Sequence, residues 1–411
     1  MWCLVGGPFP SQGIPVVTVS YRKASAAKLG YYTSELEDGS VNTLSGSEPS
    51  AQWWVGGFGS CALASTFGIR SGTRLDQAGI ETLVHLADGF RPGSAPSIPL
   101  VRNAGSARRV ALHDFTMSPP KSVSVAWALA NDELRAAMEA AHIQAAQAFL
   151  SVMAKQIHCR LGAGGRLRSP CPAVGVLFPH QTSRALDPQL HIHCVLLNLT
   201  VTPAGKSAAI ELRRALHWIG AAACVYHGEL ARGLKALGFR IRKLGMLFEL
   251  HDVPDQLVWE FSHRRRSALL ALDQEAMTRG MAPGRAIATR RQVEVQVLRT
   301  RPKKSTRAGA VLRRWWRLRA GRLVGQLRIG ECVGLDGPRP DGSDRPSLYF
   351  GGSGSPNLYA PLDRSVAATP ELLKDWAAEV LETACRQDGE YFDLELDLDS
   401  DRDRGLNERV R

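Results

Sequence analysis

The chain has 411 residues, of which 44% are hydrophobic and 22% are charged, and these fractions are typical of a globular protein of two or three domains rather than a disordered chain. No apolar run reaches the length of a membrane span, so the sequence predicts no membrane association. The eight cysteines contain no CxxC pair, which predicts reduced thiols in a cytoplasmic protein.

Charge is unevenly distributed along the chain. The net charge is +12, but residues 371–411 carry 13 acidic and 6 basic side chains, a net of −7, which leaves +19 on the rest. A cationic body is typical of a protein that binds a polyanion, and nucleic acid is the simplest such partner. The alternative is a surface of solvated arginines without a partner, and charge alone does not separate the two.

In the first part of the chain, strands and helices are predicted to alternate. Residues 1–15 predict an unstructured leader. The patterns that follow predict a strand at 15–20, a helix at 24–36, an amphipathic helix at 73–90, a strand from 108, and a long helix capped by Asn131 or Asp132. The strand from 108 ends at Pro119 and Pro120, after which the chain resumes as a helix or a strand.

Two apolar runs, 173–178 and 190–200, predict buried strands in the second part of the chain. The residues between them, 179–189, predict a polar loop, and this spacing favours antiparallel neighbours. The patterns that follow predict a helix at 211–238, a hairpin at 239–250, further helices to about 325, a helix at 370–386 and an acidic tail.

Three histidines lie in the segment FPHQTSRALDPQLHIHC, residues 178–194. Alternate residues of a strand project from the same face, so His191 and His193 point together. If the preceding strand pairs beside them, His180 completes a face of three imidazoles. Such a face can bind a metal and leave positions open for substrate oxygens. The alternative is a packed pair of histidines on an apolar strand.

A carboxylate and two tyrosines are candidate members of the same site. Asp114 lies at the end of the strand that begins at 108, where it could orient a histidine ligand or simply cap the turn before Pro119. Tyr31 and Tyr32 lie in the helix predicted at 24–36. A phenol with a pKa of about 10 needs a nearby base or a metal-bound phosphate to act as a nucleophile. Without such a neighbour, the pair would be a half-buried helix face.

Some basic and aromatic residues are candidates for contact with nucleic acid. Lys121 and Arg184 are candidate DNA-binding residues, with an ordinary surface charge as the alternative. Trp53 and Trp54 could stack on an extruded base or fill the core, and at least one is expected in the core. The Arg- and Trp-rich stretch 313–322 fits a DNA-binding helix and a solvated helix with its tryptophans packed inward equally well.

Taken in order, these segments resemble the relaxase domain of the MobF family of conjugative relaxases, which belongs to the HUH endonuclease class. The resemblance covers residues 16–325 and lies in VVTVSYRKASAAKLGYYTSE, LHDFTMSPPKSVSV, FPHQTSRALDPQLHIHCVLLNLT and WIGAAACVYHGELARGLKALGF. It implies an α+β fold, with an antiparallel palm sheet, helices on one side and a helical finger region. The chain then divides into a leader (1–15), a relaxase domain (16–325) and a variable C-terminal extension with one helix and the acidic tail (326–411).

The resemblance also implies an activity, which is a site- and strand-specific nick of DNA at a plasmid origin of transfer through a 5′-phosphotyrosine. It implies that Tyr31 attacks, that Asp114 bonds a histidine and assists the tyrosine, and that the metal ligands are His180, His191 and His193. Mg²⁺ or Mn²⁺ is the expected ion, and three histidines also suit Zn²⁺ or Ni²⁺. The implied partners are single-stranded and duplex DNA, relaxosome accessory proteins and a type IV secretion coupling protein.

Two features depart from the family pattern. Members with two tyrosine pairs place the second pair shortly after the first, but the segment SVNTLSGSEPSAQW contains no tyrosine. Tyr32 is then the candidate substitute, although neighbours on a helix point about 100° apart. The sequence also has no GxxxxGK[ST] motif, so it predicts no helicase. Two alternatives stay open, which are a catalytically decayed origin-binding protein and a metal-dependent hydrolase that uses water.

Overall fold

A computed structural model of the chain describes residues 19–37, 51–244, 247–280, 290–300 and 309–324. The strands are β1 (Val19–Ala24), β2 (Gln52–Gly57), β3 (Leu112–Met117), β4 (His158–Leu161), β5 (Leu167–Pro170), β6 (Pro172–Thr182), β7 (Pro188–Leu197), β8 (Thr200–Val201), β9 (Ser207–Ala208), β10 (Ile210–Glu211), β11 (Ile241–Leu244) and β12 (Leu247–Leu250). The α-helices are α1 (Leu29–Glu37), α2 (Ser60–Phe67), α3 (Gln77–Asp88), α4 (Lys121–Leu129), α5 (Asp132–Ala154), α6 (Arg213–Leu216), α7 (Ile219–Ala236), α8 (Asp255–Glu260), α9 (His263–Met277), α10 (Arg290–Arg299) and α11 (Gly309–Val324).

The largest sheet has five strands in the order β1-β3-β7-β6-β2, and every neighbouring pair in it is antiparallel. Three smaller sheets have the orders β10-β4-β5, β11-β12 and β8-β9. The predicted α+β class with an antiparallel palm sheet is confirmed. The two strands predicted as antiparallel neighbours, β6 and β7, pair directly with each other inside this sheet.

Apolar residues cover both faces of the five-stranded sheet. On one face, Phe115, Leu177 and Ile192 pack with residues of α4, α5 and α7. On the other face, Phe178 and Val195 pack with residues of α1, α2 and α3. Successive strand residues point to opposite faces, so a strand that is apolar throughout needs cover on both sides. Helices were expected on one side of the sheet, and the structure has them on both sides. The longer helices, α5 and α7, lie together on one side.

Glycine is required where the two central strands approach closely. Gly175 of β6 pairs with Leu196 of β7. A Cβ atom at Gly175 would lie 2.4 Å from the carbonyl oxygen of Val195, which is shorter than any van der Waals contact. A larger residue would force the strands apart. Glycine at this position therefore allows β6 and β7, the two strands on which the histidines lie, to pair.

β6 extends further than the sequence predicted. The strand continues through Pro179 to Thr182, so the bounds predicted for the polar loop at 179–189 were wrong. Proline lacks an N–H and is normally excluded from central strands. Among the described strands, β2 pairs with β6 only as far as Leu177, so β6 is an edge strand where the proline lies. The expected strand break at Pro179 therefore does not occur.

The turn at 183–187 that joins β6 to β7 is held by the C-terminal helices. Leu186 has a φ of 59°, which is unusual for a residue other than glycine. Its carbonyl oxygen accepts a hydrogen bond from Trp316 Nε1 of α11 at 2.9 Å. The buried Asp187 carboxylate lies 2.6 Å from His263 Nδ1 of α9 and 3.7 Å from Arg319 Nη1 of α11. These contacts fix the end of the hairpin.

Most of the helix predictions are confirmed with small shifts in their bounds. The helix predicted at 73–90 is α3, and Asp76 caps it by accepting from Gly79 N at 2.8 Å. The segment after Pro120 is the helix α4. Asn131 caps α5 by accepting a hydrogen bond from Leu134 N at 2.9 Å.

The single helix predicted at 211–238 is divided in the structure. Its first residue, Glu211, is the last residue of β10, and α6 and α7 follow. Short-range hydrogen bonds from His217 N to Arg214 O and from Trp218 N to Ala215 O separate the two helices. The predicted end at Gly238 is confirmed, since this residue has a φ of 89°, which favours glycine. The predicted hairpin at 239–250 is also confirmed, as β11 and β12.

Other predictions lie at or beyond the limits of the described residues. Residues 19 and 20 of the strand predicted at 15–20 belong to β1, which continues to Ala24, and residues 15–18 lie outside the described residues. The leader at 1–15, the helix at 370–386 and the acidic tail lie outside the described residues, so the division into domains stays a prediction. Within the described part, no helix is long and apolar enough to cross a bilayer. The cysteines of that part are free thiols.

A buried polar network lies between β6 and α5. Glu139 Oε1 accepts hydrogen bonds from Trp127 Nε1 and Gln181 Nε2, each at 2.8 Å. The Arg135 guanidinium lies over the Trp127 ring, 4.6 Å from its centroid. Burial raises the pKa of Glu139 to about 7, although these donors and the Arg135 charge act in the opposite direction.

We expect the substitution Glu139→Gln to change how the free energy of unfolding depends on pH. The folded-state pKa of about 7 lies above the ordinary value of 4.5. The stabilisation from the protonated carboxyl is therefore complete at low pH and is lost as pH rises through 7, by at most about 3 kcal/mol. Urea unfolding at about pH 5 and about pH 8 measures this loss, which should be smaller in the variant. An equal loss in both proteins would contradict the assignment.

Candidate active site

The three histidines converge on one face of the sheet. His180 of β6 lies directly opposite His191 of β7, and His193 lies two residues further along β7. Their ring centroids are 5.0 to 5.3 Å apart. One ring nitrogen of each histidine lies within 4.8 Å of the others. The predicted face of three imidazoles is therefore present.

Contacts at Nδ1 orient the rings of His191 and His193. His191 Nδ1 donates to the carbonyl oxygen of Gln189 at 3.0 Å. His193 Nδ1 lies 3.0 Å from both carboxylate oxygens of Asp114 and 3.0 Å from Thr116 Oγ1. A proton on Nδ1 leaves the lone pair of Nε2 available to a metal. Histidines that bind a metal through Nε2 usually donate their Nδ1–H to a carbonyl or carboxylate oxygen, and both of these rings make such a contact.

The donor set fits a divalent metal ion. Three imidazole nitrogens within 4.8 Å of one another can bind a single ion and leave coordination positions open for other ligands. All three donors are nitrogen atoms of borderline softness, so the set suits first-row transition metals such as Zn²⁺ and Ni²⁺ as well as Mn²⁺. The geometry therefore supports a metal centre and does not select the ion.

Helix α1 brings the tyrosine pair over the same face. Tyr32 is only 6% exposed, its ring stacks on Phe178, and its phenol donates to Asp114 Oδ2 at 2.9 Å. Burial and the neighbouring Asp114 carboxylate raise the pKa of Tyr32 well above its ordinary value of 10. Tyr32 is therefore held in its neutral form as a hydrogen-bond donor.

Tyr31 is the more exposed member of the pair. Its ring centroid lies 6.3 Å from that of His193 and 5.2 Å from that of Tyr32. The structure thus gathers Tyr31, Tyr32, Asp114 and the histidines at one place, as the sequence predicted. The hydrogen bond between Tyr32 and Asp114 was not predicted, because the sequence linked Asp114 to Tyr31.

Lys121 supports the backbone beside the histidines. Its ammonium group donates to the carbonyl oxygen of Pro188 at 2.6 Å and to Gln189 Oε1 at 3.3 Å. Burial lowers the pKa of Lys121 to about 8. Since Gln189 also accepts the hydrogen bond from His191, Lys121 stabilises a segment that orients a candidate ligand. Its predicted role in DNA contact stays a prediction.

The other candidates for DNA contact divide between core and surface. Trp53 and Trp54 of β2 are 5% and 4% exposed and belong to the two opposite cores, so both fill the interior. Arg184 lies partly exposed in the turn at 183–187, and its DNA contact stays a prediction. In α11, Trp316 is buried and Trp315 is 38% exposed.

Two supporting residues were missed by sequence reasoning. Thr116 lies two residues after Asp114 on β3, and this two-residue spacing was a usable signal that they share a face. Gln189 orients His191 through its backbone carbonyl oxygen, which every residue type possesses. No sequence pattern could therefore have identified Gln189.

We expect Asp114→Asn to weaken metal binding by roughly 10- to 100-fold, because a neutral amide stabilises the Nδ1–H of His193 less well than a carboxylate. Isothermal titration calorimetry with Mn²⁺ measures the change. Asp76→Asn, which alters a carboxylate that caps α3, is the control and should bind like the wild type. Unchanged affinity in Asp114→Asn would contradict the role given to this carboxylate.

Known proteins similar to this chain are conjugation proteins. A sequence model described as TrwC relaxase matches residues 18–323. The chain is 29% identical over 189 residues to the multifunctional conjugation protein TraI of Escherichia coli, and 30% identical over 186 residues to that of strain K12. Each match covers 42% of this chain and 10% of the relative, so the chain spans about a tenth of the length of these curated relatives.

Solved structures agree with the sequence match. The conjugative relaxase TrwC in complex with oriT DNA, in a copper-bound and a metal-bound structure, is 25% identical to this chain, with TM-scores of 0.60 and 0.59. The likeness covers 77% of this chain and 99% of the chain in each of the two solved structures. The TrwC relaxase model matches residues 18–323, which is more than half of this chain. The chain therefore belongs to the TrwC relaxase family, which is the MobF family that its motifs resemble.

Proposed function

We propose that this chain nicks one strand of DNA at an origin of transfer during conjugation, with Tyr31 as the nucleophile. The observation that carries the proposal is the arrangement of Tyr31, Asp114 and three convergent histidines on one face of the sheet. Membership of the TrwC relaxase family supports a DNA nickase or transesterase. The names of the relatives refer to conjugation and oriT DNA, and the proposal extends both to this chain.

The proposed reaction is a transesterification. The Tyr31 oxygen attacks the phosphorus in line and loses its proton to a base or to water. The bond from phosphorus to the 3′ oxygen breaks, and the leaving oxygen takes up a proton. One phosphodiester becomes one phosphotyrosyl ester at the 5′ end of the DNA. Because an ester bond is kept, the reaction can run in reverse and rejoin the strand without ATP.

His180, His191 and His193 would hold the divalent ion, which we propose to be Mg²⁺ or Mn²⁺, with Zn²⁺ and Ni²⁺ as alternatives. When bound, such an ion polarises the scissile phosphate and offsets the charge that develops on it. The contact of Asp114 with Nδ1 keeps the His193 ring in the orientation that this ion requires.

The two tyrosines have different roles in this proposal. Tyr31 is partly exposed, so a backbone phosphate can reach it. Tyr32 is buried, its phenol is bonded to Asp114, and its raised pKa disfavours the ionised form that a nucleophile needs. We therefore assign Tyr32 as a positioning residue that fixes Asp114 and packs against Tyr31. It is not a second nucleophile for strand transfer.

The proposed substrate is single-stranded DNA at the origin, with duplex DNA beside it. The cationic body of the chain would bind the phosphates, with an affinity that falls as salt increases. Relaxosome accessory proteins and a type IV secretion coupling protein are further proposed partners. The 411 residues contain no GxxxxGK[ST] motif, so DNA unwinding is not part of the proposal.

We expect Tyr31→Phe to abolish the covalent adduct that the wild type forms with a single-stranded oligonucleotide from the origin. A denaturing gel detects this adduct. Tyr32→Phe is the matched variant and should keep adduct formation at a rate reduced roughly tenfold, because Asp114 loses one donor. Cleavage without an adduct would indicate a hydrolase that uses water. DNA binding with neither product would indicate a decayed origin-binding protein, and either result would contradict the proposal.

We expect His193→Ala to abolish nicking and to leave most of the DNA affinity, because phosphate contacts are spread over many residues. His85→Ala, which removes an exposed histidine of α3, is the control and should nick normally. Chelation with EDTA should stop nicking by the wild type, and added Mn²⁺ should restore it. Nicking that is insensitive to the chelator would rule out the proposed metal centre.

A further inference from the structure

An arginine-rich cleft lies between α11 and the first residue of α5. Its lining residues are Asp132, Arg313, Arg314, Arg317 and Leu318. Helix α5 packs on the face of the sheet opposite to α1, so the cleft lies away from Tyr31 and the histidines. We define these five residues as the arginine cleft.

The positive charge of the arginine cleft is not balanced by its own side chains. Among the described residues, the lining contains three guanidinium groups and one carboxylate. That carboxylate, on Asp132, is shared, since its Oδ1 lies 3.4 Å from Arg313 Nη1 and 3.4 Å from Arg135 Nη1. Both contacts are long for a charged hydrogen bond, so neither arginine is tightly paired by it.

Arg135 adds a further cation at the side of the cleft. Its side chain is fully buried, and its Nε and Nη2 atoms have no hydrogen-bond partner among the described residues. Burial and the charge of Arg313 both lower the pKa of Arg135, to about 10. Charges of the same sign are thus held close together here, and a bound anion would offset their repulsion.

We propose that the arginine cleft binds backbone phosphates of a DNA segment outside the catalytic face. Phosphate oxygens match the fork of N–H donors that a guanidinium group presents. Arg313 and Arg317 lie one turn apart, about 6 Å along the axis of α11, so both can contact one strand. The inference rests on the proposed function, because it takes DNA as the polyanion.

A repeating backbone suits this cleft better than an isolated anion does. The cleft presents its arginines at intervals over more than one turn of α11, at positions 313, 314 and 317. The phosphates of a DNA strand also lie at intervals along a line, so successive phosphates can contact successive arginines. Solved structures of the related TrwC contain DNA. The chain's own sequence supplies another polyanion, the acidic segment at 371–411, and the experiment includes it as a competing occupant.

The test measures how DNA affinity depends on salt, using the full chain. Arg313→Gln and Arg314→Gln each remove one charge from the cleft. Arg322→Gln removes one charge from an exposed position of the same helix outside the cleft, and is the control. Fluorescence anisotropy with a labelled duplex and a labelled single strand of arbitrary sequence gives the slope of log K against log salt. The slope should fall by about 1 in magnitude for each cleft arginine replaced, and should not fall in the control.

Two results would overturn the proposal. One is a slope in the cleft variants equal to that of the wild type or of Arg322→Gln. The other is normal DNA binding by the cleft variants together with lost affinity for a synthetic peptide of residues 388–411, because the occupant would then be an acidic peptide. Adduct formation with a short oligonucleotide is measured in parallel. Its absence in every protein would refute the proposed nickase, while the slopes would still decide the cleft.

Discussion

The backbone pairing of β6 with β7 is the constraint on which the candidate site depends. It places His180 opposite His191, and the two-residue period of the strand brings His193 to the same face. A shift of one residue in this register would turn one strand's histidines toward the other core and separate the triad. Apolar residues on both faces of both strands oppose such a shift, because each of them would move to the opposite core, which is packed around other side chains.

Asp114 links the histidines to the tyrosines. Its carboxylate contacts His193 and accepts a hydrogen bond from Tyr32, and it is only 4% exposed. Hydrogen bonds in such a buried place are stronger than in water, and losing one partner leaves the others poorly satisfied. The orientation of His193 and the position of α1 are therefore interdependent. This connection also positions Tyr31 beside the histidines, because Tyr31 and Tyr32 lie on the same helix, α1.

The basic C-terminal helices combine two kinds of arginine. Arg319 contacts Glu260 and lies close to Asp187, and so ties α11 to the turn between β6 and β7. Arg313 and Arg314 instead line a cleft in which the described part of the chain places one carboxylate, that of Asp132. Paired arginines stabilise the fold, whereas unbalanced ones keep a charge that a polyanion can neutralise. The net charge of the chain alone does not separate the two kinds.

The sequence by itself determined four of the five strands of the large sheet, most of the helices and the common face of His191 and His193, because the periods of strands and helices are properties of neighbouring residues. Its motifs also indicated the family and identified Tyr31 and Asp114 as candidate residues of the site. Only the tertiary structure decided that β6 runs through Pro179, that Tyr32 donates to Asp114 and that Lys121 is tied to Pro188. Each of these depends on residues far apart in the chain, and packing alone decides which of them meet.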